Sequence, residues 1–237
     1  MSKRTIVVAP HPDDEVLGVG GTLLRRKAEG GRVAWLIMTS ISTEAGWTER
    51  QVAQREDEIR RISEIFRFDD VYRSDFVPSQ LDRVPMSDLV ARIGKAFRSF
   101  EPEEVFLPHS SDAHTDHGVV FTAAAACTKW FRYPSIMRVF AYETVSETDF
   151  GLGHVPTFRP NVFVDIEPFL ETKMDAMEVY KSEVGAFPFP RSRDTLRALA
   201  ALRGAASGFR AAEAFELLRE RWPISSVEDG VQNAPPN

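Results

Sequence analysis

The sequence predicts an α/β protein, a Rossmann-like three-layer sandwich built on a mostly parallel sheet. Three observations carry that reading. Apolar, β-branched runs of strand length alternate with amphipathic stretches of helix length, the arrangement that right-handed βαβ units require. Ionisable residues follow directly after two of the apolar runs, at the edge where open parallel sheets bind ligands. No repeat or linker interrupts the 237 residues, so a single domain over 1–224 with a polar, proline-containing tail over 225–237 is the expected organisation.

Each element has its own signal. Thr5-Ile6-Val7-Val8-Ala9, bounded by Pro10, reads as a buried strand because β-branched side chains suit a pleated surface. Residues 16–30 set Val16, Leu17, Leu23, Leu24 and Ala28 at near-helical spacing and stop at the pair Gly30-Gly31. Residues 33–39 are a second strand, and 49–66 a long charged helix with Val52, Ile59, Ile62 and Ile65 on one face. A short strand begins over 70–73, a helix over 87–99 turns Leu89, Ile93 and Phe97 inward, and a strand over 105–107 precedes a helix over 117–131. Beyond Arg138 the alternation changes: 139–142 and 162–166 read as strands, then 169–181 and 193–203 as helices.

Composition bounds the function. A net charge of −6, from 29 Lys and Arg against 35 Asp and Glu, argues against an electrostatic nucleic-acid binder. No apolar stretch approaches the ~20 residues of a membrane span, and the N-terminus enters a strand without a cleavage-type segment, so a cytoplasmic protein is expected. The one cysteine, Cys127, cannot form an internal disulfide and reads as a core helix residue.

The chemistry concentrates in two segments. His11-Pro12-Asp13-Asp14-Glu15 follows the first strand, and His109-Ser110-Ser111-Asp112-Ala113-His114-Thr115-Asp116-His117 follows Val105-Phe106-Leu107-Pro108. Four of the five histidines fall here, leaving only His154 elsewhere. Carboxylates crowded in this way repel one another unless a cation joins them, and imidazole with carboxylate suits zinc or a similar first-row ion. Each segment alone would also fit a helix start capped by Asp13, Asp14 or Asp116. Two together favour a shared metal. Gly18-Val19-Gly20-Gly21 invites a phosphate-binding reading, but the third glycine of a dinucleotide fingerprint is misplaced, and close packing of helix on sheet accounts for it better.

The run from His11 to Thr22 resembles the N-terminal signature of the LmbE-like or PIG-L deacetylases, metal-dependent enzymes that remove acyl groups from amino sugars. His114-Thr115-Asp116-His117 resembles their second signature, and weaker likeness continues through Arg55, Glu56 and Glu58, through Tyr142-Glu143-Thr144 and through 160–166 to about residue 222. The resemblance implies His11, Asp14 and His117 as ligands of Zn2+, with Fe2+ or another divalent first-row ion as alternatives. It implies Asp13 as general base and His114 as oxyanion stabiliser or proton donor, with Asp116 orienting His114 and raising its pKa. Spacing alone does not say which aspartate binds metal and which acts as base. Arg55 and Asp75 are implied as partners of sugar hydroxyls, and Tyr142 and Glu143, at a strand end, are similar candidates.

The expected function is therefore removal of an N-acyl group, by preference acetyl, from an amino sugar or sugar conjugate by water activated on the ion. The expected partner is that small molecule, and homo-oligomerisation is left open. A nucleotide-dependent oxidoreductase on the same scaffold would leave the second histidine segment without a role. A non-catalytic carbohydrate-binding protein would leave the apparent base without one. Residues 144–159, with Gly151, Gly153, His154, Pro156 and Phe158, are expected to form a loop over the site. Phe187-Pro188-Phe189-Pro190-Arg191 could cover the core edge, line an acyl or aglycone pocket, or meet another subunit.

Overall fold

The computed structural model describes residues 3–152 and 158–223. Seven strands form one sheet: β1 (Arg4–Ala9), β2 (Arg32–Thr39), β3 (Asp70–Phe76), β4 (Glu104–Pro108), β5 (Arg138–Tyr142), β6 (Val162–Asp165) and β7 (Ala212–Glu220), in the order β3-β2-β1-β4-β5-β7-β6. The first five pair in parallel, whereas β7 runs antiparallel between β5 and β6. Among the described residues six α-helices cover the sheet: α1 (Asp14–Ala28), α2 (Glu49–Phe66), α3 (Met86–Phe100), α4 (Thr115–Ala126), α5 (Leu170–Met177) and α6 (Arg193–Ala205).

Both faces of β1 are buried, which is why its apolar run does not alternate with polar residues. Val7 and Ala9 pack with Leu17 of α1, Ile62 of α2, Met174 of α5 and Leu196 of α6. Ile6 and Val8 pack on the opposite face with Ile93 and Phe97 of α3 and Val120 of α4. The three layers expected from the sequence are these. The strand order reverses between β1 and β4, so the turns leaving their C-terminal ends flank one crevice.

The glycines after the first histidine segment serve packing. A Cβ on Gly18 would collide with the Tyr142 ring, and one on Gly21 would stand 2.7 Å from Ile166. Helix α1 thus lies too close to the sheet for side chains there, and the glycines are not presented to a phosphate.

Several boundaries differ from expectation. Helix α4 ends at Ala126 rather than 131, and the following Trp130 and Phe131 are exposed. The helix expected over 169–181 stops at Met177, because Val179 and Tyr180 turn into the core and Tyr180 donates its hydroxyl to Glu15 at 2.7 Å. Strand β7 has no counterpart among the expected strands. Its sequence, Ala-Glu-Ala-Phe-Glu-Leu-Leu-Arg-Glu, is rich in helix formers, and two flanking strands override that local preference. The expected tail over 225–237 lies outside the described residues, as does His154. Among the described residues no helix is long and apolar enough to cross a membrane.

Candidate metal centre

Strand β1 delivers the chain into a tight turn whose geometry is unusual at one residue. Asp13 occupies the N-cap position of α1 with φ 142°, a conformation that L side chains rarely adopt, and its carboxylate makes no capping bond. The turn is held from outside. The Asp13 N–H donates to Glu15 Oε2 at 3.1 Å, the His11 N–H donates to Asp14 Oδ2 at 2.8 Å, and Thr39 Oγ1 donates to the Pro10 carbonyl at 2.8 Å. The strain frees the Asp13 side chain for other use.

The second segment starts α4 with a histidine as its cap. His114 Nδ1 accepts the N–H of Asp116 at 3.1 Å, so the ring proton of neutral His114 resides on Nε2. His117, in the first turn, is buried beside Asp14. The convergence expected of the two segments is present: nitrogen atoms of His11 and His117 and a carboxylate oxygen of Asp14 all lie within 4.8 Å of one another.

Two of the separations in the donor set match those around a tetrahedral ion. Bonds of about 2.0–2.1 Å at tetrahedral angles hold ligand atoms roughly 3.4 Å apart. Asp14 Oδ2 lies 3.4 Å from His11 Nδ1 and 3.4 Å from His117 Nε2. The other nitrogen of each imidazole meets a carboxylate: His11 Nε2 is 3.0 Å from Asp116 Oδ2, and His117 Nδ1 is 2.8 Å from Asp112 Oδ2. This arrangement fixes ring orientation and raises ligand basicity. Thr148 Oγ1 holds the remaining Asp112 oxygen at 2.7 Å. A second grouping of His11, His114 and Asp116 is as compact, but Asp116 there is already committed to the N–H groups of Ser79 and Leu81 and to His11.

The electrostatics also call for a cation. Burial opposes protonation of both histidines, yet Asp116 and Asp14 push His11 up to about 9, and Asp14 and Asp112 push His117 up to about 10. Asp14 is held well below the carboxylate range by the two histidines despite its complete burial. A site that draws protons onto its imidazoles this strongly is one that a divalent ion can neutralise.

Asp13 stands apart from the donor set. Burial and repulsion from Asp14 push its pKa up to about 7, while Arg191 acts in the opposite direction. Arg191 donates from Nη1 to Asp13 Oδ2 at 2.7 Å, from Nη2 to Glu147 at 3.3 Å and from Nε to Ser146 Oγ at 2.8 Å. A cleft of about 270 Å³ opens beside these groups, lined by His11, Asp13, His114, Arg191, Arg55 and Trp47 among others. The sequence flagged 187–191 without assigning it here, and Asp112 was within the histidine segment without a role.

Four expectations change. The Asp116 carboxylate supports His11 more closely than His114, with Oδ2 3.0 Å from His11 Nε2 and 4.0 Å from His114 Nδ1; its charge does raise the His114 pKa as expected, but burial and His11 outweigh it and the net shift is downward. Tyr142 is wholly buried and donates its hydroxyl to the Val8 carbonyl at 2.9 Å, so it packs rather than binds ligand. Asp75 points to solvent and pairs with Arg92 at 2.8 Å, outside the cleft. Glu143 pairs with Arg203 and lines a separate cavity of about 410 Å³. Arg55 does reach the cleft, donating to the Pro12 carbonyl at 2.8 Å and to Glu183 at 2.9 Å.

Residues 6–128, which carry both histidine segments, match the model of the PIG-L family, described as GlcNAc-PI de-N-acetylase. The chain is 26% identical over 221 residues to the diacetylchitobiose deacetylase of Thermococcus kodakarensis, covering 89% of this chain and 81% of that protein. Among solved structures, a conserved protein of Thermus thermophilus superposes with a TM-score of 0.74 at 29% identity, covering 94% of this chain and 97% of that one. The 4-carboxy-2-hydroxymuconate hydratase of Pseudomonas putida KT2440 superposes with a TM-score of 0.67 at 19% identity, covering 94% and 99%. That last likeness is of fold alone, and architecture does not name a reaction.

Proposed function

Because the chain belongs to the PIG-L family, we propose that it is a zinc-dependent N-deacetylase, hydrolysing the acetamide of an N-acetylated amino sugar or sugar conjugate to acetate and a free amine. The observation that carries this reading is the juxtaposition of a compact His11, Asp14 and His117 donor set with a separate, arginine-held carboxylate, Asp13, beside one cleft. The similarity to diacetylchitobiose deacetylase supports the sugar.

His11, Asp14 and His117 would hold the ion. When bound, the ion supplies Lewis acidity, which polarises the acyl carbonyl and makes water a competent nucleophile near neutral pH. Fe2+ suits the same donors, so zinc is the proposal and the ligand set its support. Asp13, aimed by Arg191, accepts the proton of the attacking water. His114, neutral with its proton on Nε2, donates a hydrogen bond to the oxygen that gains charge in the tetrahedral intermediate. Asp13 then returns its proton to the departing nitrogen, which leaves as the amine.

Release of amine from a panel of N-acetylated sugars, with and without chelator, tests this. Chelator-sensitive turnover is expected, together with loss of turnover but retention of metal in Asp13→Asn. Chelator-insensitive hydrolysis, or an Asp13→Asn variant at wild-type rate, overturns it.

A further inference from the structure

Glu15 is a wholly buried acid that the proposed chemistry leaves without a task. Both of its oxygens take neutral donors. Oε1 accepts the Tyr180 hydroxyl at 2.7 Å, and Oε2 accepts the Asp13 N–H at 3.1 Å. A buried carboxylate needs its lone pairs used, and the groups that use them fix where it stands.

The Asp13 N–H is the telling donor. A residue at φ 142° keeps that conformation only while contacts around it over-determine the backbone. The Asp13 carbonyl is fixed by the N–H groups of Val16 at 3.0 Å and Leu17 at 2.9 Å, and the Pro12 carbonyl before it by Arg55 at 2.8 Å. Among the described residues the Asp13 N–H has one acceptor, Glu15. An ordinary helix start turns the cap side chain onto the first N–H groups of the helix. Here the Asp13 carboxylate makes no such bond and meets Arg191 instead. Were the N–H released, the peptide could rotate and the carboxylate would swing with it.

Tyr180 in turn fixes Glu15. It follows α5, is wholly buried, and reaches Glu15 from 165 positions away in sequence. Its ring lies under the Arg55 guanidinium, 5.5 Å from carbon to centroid. A glutamate side chain has several torsions to settle, and the hydroxyl bond selects the rotamer that reaches back to Asp13.

We propose that Glu15 and Tyr180 are positioning residues, a buried strut that holds the strained Asp13 peptide and so aims its carboxylate at the reacting water. This rests on the deacetylase reading above and adds two residues that touch neither substrate nor ion.

Tyr180→Phe keeps the ring and removes only the hydroxyl. Its kcat for amine release is expected to fall about tenfold, with KM and bound metal within about twofold, because misplacing a reacting group acts on the chemical step. Glu15→Met should lose at least as much, whereas Glu15→Gln, which keeps an acceptor for the Asp13 N–H, should recover most of the rate. In an Asp13→Asn background, read by single turnover with enzyme in excess, Tyr180→Phe should change the residual rate by less than about twofold, since the strut then has no base to aim. A residue that merely supports the fold would slow both backgrounds alike. Wild-type kcat in Tyr180→Phe, equal losses in both backgrounds, or a loss of metal that accounts for the loss of rate overturns the proposal. Amide hydrogen exchange needs no turnover: residues 11–15 should exchange about tenfold faster in Tyr180→Phe, with β1 and the rest of α1 unchanged, and unaltered exchange over 11–15 also overturns it. Failure of the deacetylase reading shows differently, as exchange that responds in this way in a protein whose wild type releases no amine.

Discussion

Arg191 Nη1 lies 2.7 Å from Asp13 Oδ2, joining two residues 178 positions apart in sequence. The contact aims the candidate base and tempers a carboxylate that burial and Asp14 would otherwise protonate. Arg191→Ala should lower kcat by about 10²-fold, the scale of general-base assistance, with KM and metal content little changed. Arg191→Lys should recover part of the loss. Steady-state kinetics with elemental analysis of the same samples checks this.

Asp112 stands behind His117, one of the proposed ligands. It holds His117 Nδ1 at 2.8 Å and is itself held by Thr148. Asp112→Ala should weaken metal affinity by about 10- to 100-fold, the usual effect of removing such a partner, while the fold persists. Competition against a chelator of known affinity measures it.

Tyr142 and Gly18 form a packing pair. Tyr142→Phe should leave kcat/KM unchanged and cost about 1 kcal/mol for the hydrogen bond to the Val8 carbonyl. Gly18→Ala should cost about 3 kcal/mol, because its methyl group meets the Tyr142 ring inside a full core. Denaturant unfolding reads both, and a large activity loss in Tyr142→Phe would return that residue to the substrate site.

Glu104, buried on β4, is bonded by Arg26 at 2.8 Å, Thr5 at 3.0 Å and Arg138 at 3.2 Å. Burial alone would raise its pKa, but Arg26 and Lys3 bring it below the ordinary 4.5. Its stabilisation is therefore complete above about pH 4.5 and disappears as pH falls through the lowered folded value. Glu104→Gln should cost about 2 kcal/mol at pH 7, the loss of charge-assisted hydrogen bonds at a buried carboxylate, while Arg26 and Arg138 keep Glu29 and Glu220 as partners. It should also flatten the acid limb of the stability curve, as denaturation midpoints between pH 3 and 7 would record.

Much of this was legible in the linear chain. The β1 run and the spacing of α2 and α3 report burial through periodicity, and such patterns survive because each apolar stripe must face a core. The two histidine segments were legible for a related reason: parallel strands present their C-terminal turns along one edge, so segments following two such strands can meet. Strand β7 was hidden, because Glu213, Leu217 and their neighbours favour helix locally and only β5 and β6 supply its hydrogen bonds.

Residue types and their order were enough to establish an α/β scaffold, the two histidine segments that meet, and the family signature; the division of roles between Asp13 and Asp14 is what that family resemblance implies. Which carboxylate supports which histidine was settled in space. Asp116 turns to His11 and Asp112 to His117, Arg191 arrives from a distant segment, and Tyr142 withdraws into the core. The reason is physical: periodicity records which face of an element is buried, whereas hydrogen bonds and ion pairs depend on distances of a few ångströms that exist only once the layers have packed.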